Sequence, residues 1–592
     1  MGRWYNKDSP QEIRALRGIR WVTLLVLGMG LAGVGLADQH PPGNRPLPGP
    51  DYFYSFITRE EYRFYRSDFL PLSLAQKGRF YVSGFRGMPP GFLKQGYNGF
   101  SLENPVLGMW NEQTTPHHRI QSDSLMSGWG RGVYRNEGPV SQAPTSIITY
   151  FQDYITRLSY IDIDFAEYFR PGQFFQLAGN NFLRDGTEPG DYSKIQVNTY
   201  QVRFLFRLPY RWRADVNFWQ LRHRFNMPPQ NLLLFRTDRF KSVTNFLWID
   251  FSRKMFATDS LIWTPRLRWY TDQYWEVGRL QRDFRATVLG QSLKYFRHLG
   301  GGGLRWVLEM EGIQSRGRRY WRRHREWRQS GWVEFFQKRS WMETRFRYGL
   351  FYHSEYRWGK QFAVHVVLKT KRVRLHAAVF EQPRPAALLW RTFSGDSFPN
   401  APTGRFIVQK GRQLALEWRG RHVALRAEGF RLSTQNYPVF LSSSDVWRRR
   451  SFGNQGFTLG LNWQRPTLWI RQHITYNDGF RTAFAPRWNW VAEIGFKRSF
   501  FNQALKLNGI FIAHWIDRFP GIAFDRLLHQ FRMQRQMKGP YPVFDFRLLA
   551  RIRSATLYFV WENMLSTDYV IVEGTGELYR LFRMGIRWTL FD

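Results

Sequence analysis

The 592-residue sequence contains no cysteine, which excludes disulfides and cysteine-ligated metal sites. It also lacks the G-x-S-x-G and H-E-x-x-H spacings that mark serine hydrolases and zinc proteases. Its 13 histidines are scattered, and the adjacent pair His117 and His118 would point to opposite sides of an extended segment. We therefore predict that the protein is not an enzyme and that it holds no cofactor or metal.

Long apolar runs are absent beyond the first 37 residues. Basic residues precede the run Trp21–Ala37, which ends in small side chains before the polar Asp38. Residues 1–37 are therefore predicted to be a signal peptide, with a single anchoring helix as the alternative. No later stretch reaches the roughly 18 apolar residues that a transmembrane helix needs. If the mature chain lies in a membrane, it must cross as a closed β-barrel, because open sheet edges are not tolerated in lipid.

Acidic residues are scarce, since 46 Asp and Glu stand against 86 Lys and Arg and leave a net charge of +40. Such a charge invites a nucleic-acid partner, but no zinc-finger spacing, basic zipper or single-strand-binding signature organises it. The arginines instead alternate with aromatic residues along candidate strands. We predict no nucleic-acid binding. The expected partners are outer-membrane lipid and lipopolysaccharide outside a barrel, and an unidentified solute inside it.

Aromatic residues are abundant, at 18% of the chain, and many occupy alternate positions. The last strand-like stretch has one apolar face, which comprises Phe582, Met584, Ile586, Trp588 and Leu590. Its opposite face carries Arg583 and Arg587. The same alternation recurs from about Ser146 onward, in stretches of roughly ten residues. Aromatic strands in series, the last of them closing the chain, are typical of a bacterial outer-membrane β-barrel.

The breaks between these stretches come in two lengths, and the short ones give a strand count. Ten short breaks fall near Pro171, Pro209, Ala257, Gly300, Lys338, Thr370, Gly420, Arg465, Ser499 and Arg553. The longer breaks include Arg184–Asp191, Asn226–Asp238, Gln314–Arg328, Pro383–Thr403, Ser433–Gly453 and Asp517–Tyr541. Ten short periplasmic turns predict an all-β fold, a transmembrane antiparallel β-barrel of about 22 strands (range 16–22) over residues 146–592. The predicted location is the bacterial outer membrane.

The region before the barrel has a different composition. Residues 38–50 are rich in proline and glycine and are predicted to be a linker, and residues 51–145 are predicted to be a small plug-like domain. Within the latter, the stretch Tyr81–Gln113 resembles the plug pattern of the TonB-dependent receptor family of outer-membrane transporters, or of the related porins that keep a plug-like segment. The matching residues are Arg86, Gly87, Asn98, Gly99, Asn104, Pro105 and Gly108. Asn98-Gly99 would also suit a type I′ hairpin turn in any β-rich domain.

The C-terminal strands are similar to the closing strands of the same family. The residues that match are Phe559, Asn563, Tyr569, Arg583 (or Arg580), Gly585 and Trp588. The resemblance implies a barrel occluded by a plug and a periplasmic energy-coupling protein as a partner. Residues 38–50 contain no convincing energy-coupling box, and the plug-like region is short for the family, which argues against TonB coupling.

The predicted function is that of a transporter or porin, with a partly occluded lumen, for solutes that could be anionic. A structural or assembly component of an envelope complex, without transport activity, is the alternative. Because a plug and a wall can be held together without any passage of solute, the sequence leaves both interpretations open.

Two sets of charged residues are candidate sites. The predicted loop Gln314–Arg328 is a candidate anion-contact loop through Arg316, Arg318, Arg319, Arg322, Arg323, Arg325 and Arg328. A solvated outer loop is the alternative. The candidate lumen-facing residues are Arg203, Arg207, Arg211, Arg213, Asp215, Arg583 and Arg587, together with Glu493, Lys497, Lys506, Asp545 and Arg547. They would favour anions in the lumen, unless they form a mixed-charge network that braces plug against wall.

Overall fold

The computed structural model of the chain describes residues 55–74, 79–97, 100–115, 122–126, 131–135, 143–184, 194–227, 237–255, 259–276, 278–318, 321–392, 405–441, 446–574 and 580–590. The predicted signal peptide and linker, residues 1–50, lie outside the described residues, as do Asn98, Gly99 and Arg319. Where the chain is described, none of its helices has the length and apolar character of a transmembrane segment.

The N-terminal part is built from short elements. Helix α1 (Arg59–Phe64) precedes β1 (Phe69–Ser73), which pairs antiparallel with β2 (Tyr81–Phe85). A four-stranded sheet follows, formed by β3 (Lys94–Tyr97), β4 (Phe100–Ser101), β5 (Ser122–Met126) and β6 (Arg131–Arg135). Its order is β4-β3-β6-β5, and β3 runs parallel to β6. The described residues between 55 and 135 are called the plug-like segment below.

Twenty-two antiparallel strands follow and close into one barrel, which confirms the predicted fold class and strand number. They are β7 (Thr145–Asp153), β8 (Leu158–Arg170), β9 (Gln173–Arg184), β10 (Ile195–Arg207), β11 (Trp212–Met227), β12 (Asp238–Lys254), β13 (Ser260–Glu276), β14 (Arg279–Leu299), β15 (Gly302–Gly317), β16 (His324–Lys338), β17 (Met342–His353), β18 (Arg357–Lys369), β19 (Val373–Arg384), β20 (Ile407–Arg419), β21 (Val423–Leu441), β22 (Val446–Gln464), β23 (Leu468–Asn477), β24 (Trp488–Phe500) and β25 (Leu505–Ile516), then β28 (Tyr541–Ile552), β29 (Ala555–Glu562) and β30 (Leu581–Leu590). The hairpin of β26 (Phe519–Asp525) and β27 (Gln530–Lys538) and the helix α2 (Leu388–Arg391) lie in connections between barrel strands.

The barrel closes where β30 pairs with β7, and Leu590 lies opposite Ser146. In β30 the alternation has the predicted sense, because Arg583 is fully buried whereas Met584 and Trp588 are exposed. The outward face of other strands is similarly apolar, as in β17 with Phe346, Tyr348 and Leu350. Exposed apolar side chains all around a closed barrel form a wall that faces lipid, so the protein resides in the outer membrane.

The connections at one end of the barrel are short, as predicted, whereas those at the other end vary in length and include the short ones from β7 to β8 and from β17 to β18. The ten predicted short breaks coincide, within a few residues, with the connections at the end where the chain enters and leaves the barrel. Two predicted long loops were wrong in extent, because β15 and β16 cover most of Gln314–Arg328, and β21 and β22 cover most of Ser433–Gly453. These four strands continue beyond the thickness of the bilayer. Above the membrane a strand needs no apolar outer face, so the alternation that marks a strand in the sequence ends before the strand does.

The plug-like segment contacts the inward face of the barrel on several sides. Tyr97 and Trp110 pack against Trp219 of β11 and Phe246 of β12, with ring centroids 4.4 and 5.8 Å apart. On another side, the hydroxyl groups of Ser67 and Thr475, which belongs to β23, are 2.8 Å apart. Contacts with strands this far apart in the barrel place the segment within the lumen.

Candidate functional site

The predicted pair Arg86 and Gly87 docks the plug-like segment onto the wall. The Arg86 guanidinium donates to the Glu428 carboxylate of β21 at 2.6 Å, and both side chains are buried. Gly87 has a φ of 77°, and a Cβ added there would lie 2.7 Å from the Cβ of Ala483. Only glycine allows this close approach in this backbone conformation. The pair therefore combines an ion pair with a tight backbone contact.

The predicted residues Asn104, Pro105 and Gly108 form a turn that meets an outer connection of the barrel. The Asn104 side chain accepts from the N–H of Val106 at 2.9 Å, and Gly108 adopts a φ of 66°. The Pro105 carbonyl accepts from the N–H of Leu388, the first residue of α2, at 3.0 Å. For the predicted Asn98-Gly99 turn, the flanking strands β3 and β4 pair antiparallel, with Tyr97 opposite Phe100.

An ion pair beside this turn ties it to β19. Glu103 and Arg384 approach to 2.6 Å. Burial by itself would raise the pKa of the Glu103 carboxyl, but the charges of Arg384 and Lys94 lower it to about 2. The carboxylate is therefore ionised at any physiological pH, and the contact does not depend on pH in that range.

A buried network joins α1 to the last barrel strands. Arg583 donates to both carboxylate oxygens of Glu61 at 3.0 Å each, and it also contacts Glu562 of β29. Arg547 of β28 donates to the same Glu562 at 3.1 Å and to the carbonyl of Ser55 at 3.0 Å. These guanidinium groups neutralise carboxylates from both the plug-like segment and the wall. The predicted lumen residues Arg583 and Arg547 thus take part in a mixed-charge network.

The other predicted lumen residues fall into three sets. Arg203 and Asp215 form a fork on neighbouring strands, with Nε and Nη2 donating at 2.9 and 2.6 Å. Arg207, Arg211 and Arg213 lie exposed around a short turn at the periplasmic end. Arg587 is partly buried and shares the inward face with Arg583.

The connection between β25 and β28 folds inward and crosses the lumen. We call its paired strands β26 and β27, with the tip Arg526–His529, the lumen hairpin. Its tip contacts β12 and β14. Seven strands lie between β28 and β12 around the barrel, and ten lie between β25 and β14. Arg526 forms an ion pair with Asp238, and the ring of His529 lies 4.1 Å from that of Phe80 in the plug-like segment. The lumen hairpin therefore rests on the plug-like segment and reaches nearly the opposite wall.

Arg282 of β14 holds the tip of the lumen hairpin. Its buried guanidinium donates to the carbonyl of Arg526 at 2.8 Å and to Nδ1 of His529 at 3.2 Å, and it pairs with Asp272 at 2.5 Å. Burial lowers the pKa of His529 well below its usual value, and the charges of Arg282 and His223 lower it further. His529 is thus neutral, and its Nδ1 accepts from Arg282.

Replacing Arg282 by methionine should release the lumen hairpin. Removing one partner leaves Asp272 and the tip carbonyls buried without their donor, which costs about 3–5 kcal/mol for a buried pair. Trypsin cleavage after Arg526 should then accelerate by about a hundredfold or more, because local opening exposes the tip. The exposed Arg279 on the same strand provides the control variant Arg279→Met, which should be cleaved like the unmodified protein. Equal cleavage of both variants would contradict this role of Arg282.

A cavity remains between the lumen hairpin, the plug-like segment and the wall. Phe80, Trp110, His223 and His529 are among its lining residues, and it has room for about one water-sized molecule. Among the described residues, this cavity is too small to hold a solute larger than water.

Three groups near the outer end could be read as metal ligands. Donor atoms of His324, Glu326 and Glu355 lie within 4.8 Å of one another. Arg391 of α2 pairs with both carboxylates, and Arg328 also donates to Glu326, at 2.7 Å. The guanidinium groups already neutralise these acids, so a cation would have to displace Arg391. The cluster instead fixes α2 to the wall.

Comparison with solved structures identifies the architecture. The FrpB iron transporter from Neisseria meningitidis (F3-3 variant) superposes with a TM-score of 0.73 at 8% identity, over 90% of this chain and 97% of that chain. The siderophore receptor PirA from Acinetobacter baumannii gives 0.71 at 9% identity, over 90% and 96%. A mutant of the ferric enterobactin receptor PfeA from Pseudomonas aeruginosa gives 0.69 at 10% identity, over 90% and 98%. The fold is that of the TonB-dependent receptors. No family model matches the sequence, and no curated protein sequence matches it.

In this receptor-like barrel the candidate anion-contact residues do not form one loop. Arg316 ends β15, Arg325 and Arg328 lie in β16, and Arg318, Arg322 and Arg323 belong to the short connection between these strands. Arg328 faces inward and donates to Glu326, whereas Arg316 and Arg325 are exposed on the outward face. The structure thus separates an inward ion pair from an outward basic surface.

Several residues that hold the barrel interior together could not be predicted from the sequence. Glu61, Glu428 and Arg282 each form buried contacts between chain segments far apart in sequence, and none lies in a recognisable motif. The lumen hairpin did carry a signal, because the predicted break Asp517–Tyr541 is long enough to hold two strands. The partners that its tip would meet across the lumen could not be read from local patterns.

Proposed function

We propose that the protein is a gated outer-membrane transporter, closed in this structure, that passes a solute when the plug-like segment and the lumen hairpin move. The observation that carries the proposal is the contact of the hairpin tip with both the plug-like segment and the far wall. A barrel of about 22 strands has a lumen wide enough for an aqueous channel unless it is plugged. Two obstructions in series argue against a permanently open porin.

The nature of the plug contacts favours a moving part over a purely structural one. Besides the apolar contacts that Tyr97 and Trp110 make, Glu61 and Arg86 form buried ion pairs with the wall. A buried ion pair adds little net stability compared with well-packed apolar side chains. It can, however, exchange its partner for water when the interface opens, because each group is favourably hydrated.

The charge around the outer end supports an anionic solute. Exposed arginines there include Arg322, Arg323, Arg448, Arg481 and Arg487. A cationic rim concentrates anions and lowers the local concentration of cations. The solved structures of similar fold are named as an iron transporter, a siderophore receptor and a ferric enterobactin receptor. For this chain we propose an anionic solute. Since residues 38–50 lack a convincing energy-coupling box, the proposal includes no periplasmic energy-coupling partner.

Ion selectivity tests this proposal. In a chain that lacks residues 38–143 and has a short turn in place of the lumen hairpin, the reversal potential under a KCl gradient should have the sign of the chloride potential. Replacing Arg322, Arg323, Arg448 and Arg481 by glutamine in that chain should move the potential toward zero, because the rim charge sets the preference. A reversal potential with the sign of the potassium potential would contradict an anion pathway. Absence of current would contradict a transporter.

A further inference from the structure

The outward face of the barrel carries a belt of basic side chains over β11 to β16. The belt comprises Arg222, Arg224, Lys241, Arg285, Arg316 and Arg325, all of them exposed. The residues that alternate with them point inward and are buried, such as Leu221, His223, Ala286 and Ser315. These basic groups therefore lie outside the lumen and cannot contact a solute that passes through it.

The strand register brings the belt together. Arg222, Val243, Thr271, Arg285 and Arg316 lie side by side across five neighbouring strands. Arg224 lies opposite Lys241 in the next row toward the outer end. Neighbouring strands are about 4.8 Å apart, so the row extends around a continuous arc of the barrel wall.

The position of the belt relative to the membrane follows from the row of apolar side chains beneath it. A matching row lies four positions along each strand from the belt, on the side of the bilayer centre. It consists of Phe218, Leu247, Leu267, Leu289 and Gly312 and continues to Trp327 of β16. Leu289 and Trp327 are 65% and 61% exposed, as lipid-facing side chains are in an isolated chain. Four residues span about 13 Å along a strand, or about 10 Å along the membrane normal in a barrel whose strands are tilted by about 40°. Because the outward face changes from apolar to basic over this distance, the belt lies at the outer edge of the hydrocarbon, at the level of the lipid headgroups.

One carboxylate lies among the belt residues and does not cancel its charge. Asp283 is only 5% exposed, and it is contacted by Arg285 and Arg318 at 3.4 and 3.6 Å. Gln273 donates to it at 3.1 Å. The acid thus orders two guanidinium groups at the surface, and the net charge of the arc stays strongly positive.

We propose that the basic belt binds the phosphate groups of lipopolysaccharide in the outer leaflet. Guanidinium forks match phosphate oxygens with two parallel hydrogen bonds, and several such groups in one row fit a glycolipid that carries more than one phosphate. The apolar row below supplies the surface along which acyl chains of the same molecule pack. The ligand is the phosphate of a lipid and not free phosphate, since the belt adjoins the lipid-facing wall without interruption.

The test compares two triple variants of the full chain. Arg222→Gln, Arg285→Gln and Arg316→Gln remove the central row, and Arg372→Gln, Arg421→Gln and Arg465→Gln remove exposed arginines at the opposite end. Lipopolysaccharide co-purified per barrel, and rebinding of lipid A measured by native mass spectrometry, should fall about tenfold or more in the first variant, because charge-assisted bonds are lost. The second variant should match the unmodified protein. Heat-dependent electrophoretic mobility verifies that both barrels are folded.

Three outcomes would overturn the proposal. The first is unchanged lipid A binding by the folded belt variant. The second is equal binding of lipid A and dephosphorylated lipid A by the unmodified protein, which would assign the affinity to the acyl chains. The third is displacement of lipid A by inorganic phosphate at similar concentration, which would make the belt a site for free phosphate. Raising the salt concentration should weaken binding of the unmodified protein and should affect the belt variant less.

Discussion

Replacing Arg583 by methionine is expected to lower the free energy of unfolding by about 3–5 kcal/mol. Arg583 is fully buried and neutralises Glu61 of the plug-like segment and Glu562 of the wall at once. Its removal takes the guanidinium away from the buried Glu61 carboxylate and leaves Glu562 with Arg547. Because one partner belongs to the plug-like segment, the loss should include weaker retention of that segment in the lumen. Urea unfolding in detergent, followed by tryptophan fluorescence, measures the change.

The control variant is Arg580→Met, since Arg580 precedes the same strand and is exposed. It should change stability by less than about 0.5 kcal/mol, as exposed substitutions do. Adding Glu61→Gln to Arg583→Met should restore part of the loss, because one unpaired buried charge is removed. If Arg583→Met is as stable as Arg580→Met, the network does not hold the plug-like segment, and the ion pairs are incidental.

The barrel could be predicted from the sequence because its rules are local. Alternation assigns each strand an inner and an outer face, and the ten short breaks mark the turns at one end of the barrel. These signals are present in strand after strand, so a barrel of about 22 strands over residues 146–592 could be predicted without knowledge of any contact. Errors arose where strands leave the bilayer. In β15 and β16 exposed arginines replace apolar residues, and an arginine-rich stretch was taken for a loop.

The interior of the barrel could be predicted only in part. Arg86 and Gly87 were recognised from a motif, but the Glu428 partner lies 342 residues away and nothing in its surroundings marks it. The lumen hairpin has the same limitation, because Arg526 and Asp238 meet across the lumen over a separation of 288 residues. Ion pairs between remote segments leave no periodic signal. The inward face of a strand can be read from sequence, whereas its partner on the plug cannot.

Conductance in planar bilayers tests the closed lumen most directly. Four chains are compared: the intact protein, a chain without residues 38–143, a chain in which a short turn replaces the lumen hairpin, and a chain with both changes. Both segments obstruct the same lumen, and the barrel seam between β30 and β7 does not involve either of them. The intact chain should therefore carry no steady current, and the chain with both changes should carry a large one, as an unplugged barrel of about 22 strands would. A steady current through the intact protein, or no current through the chain with both changes, would contradict the account.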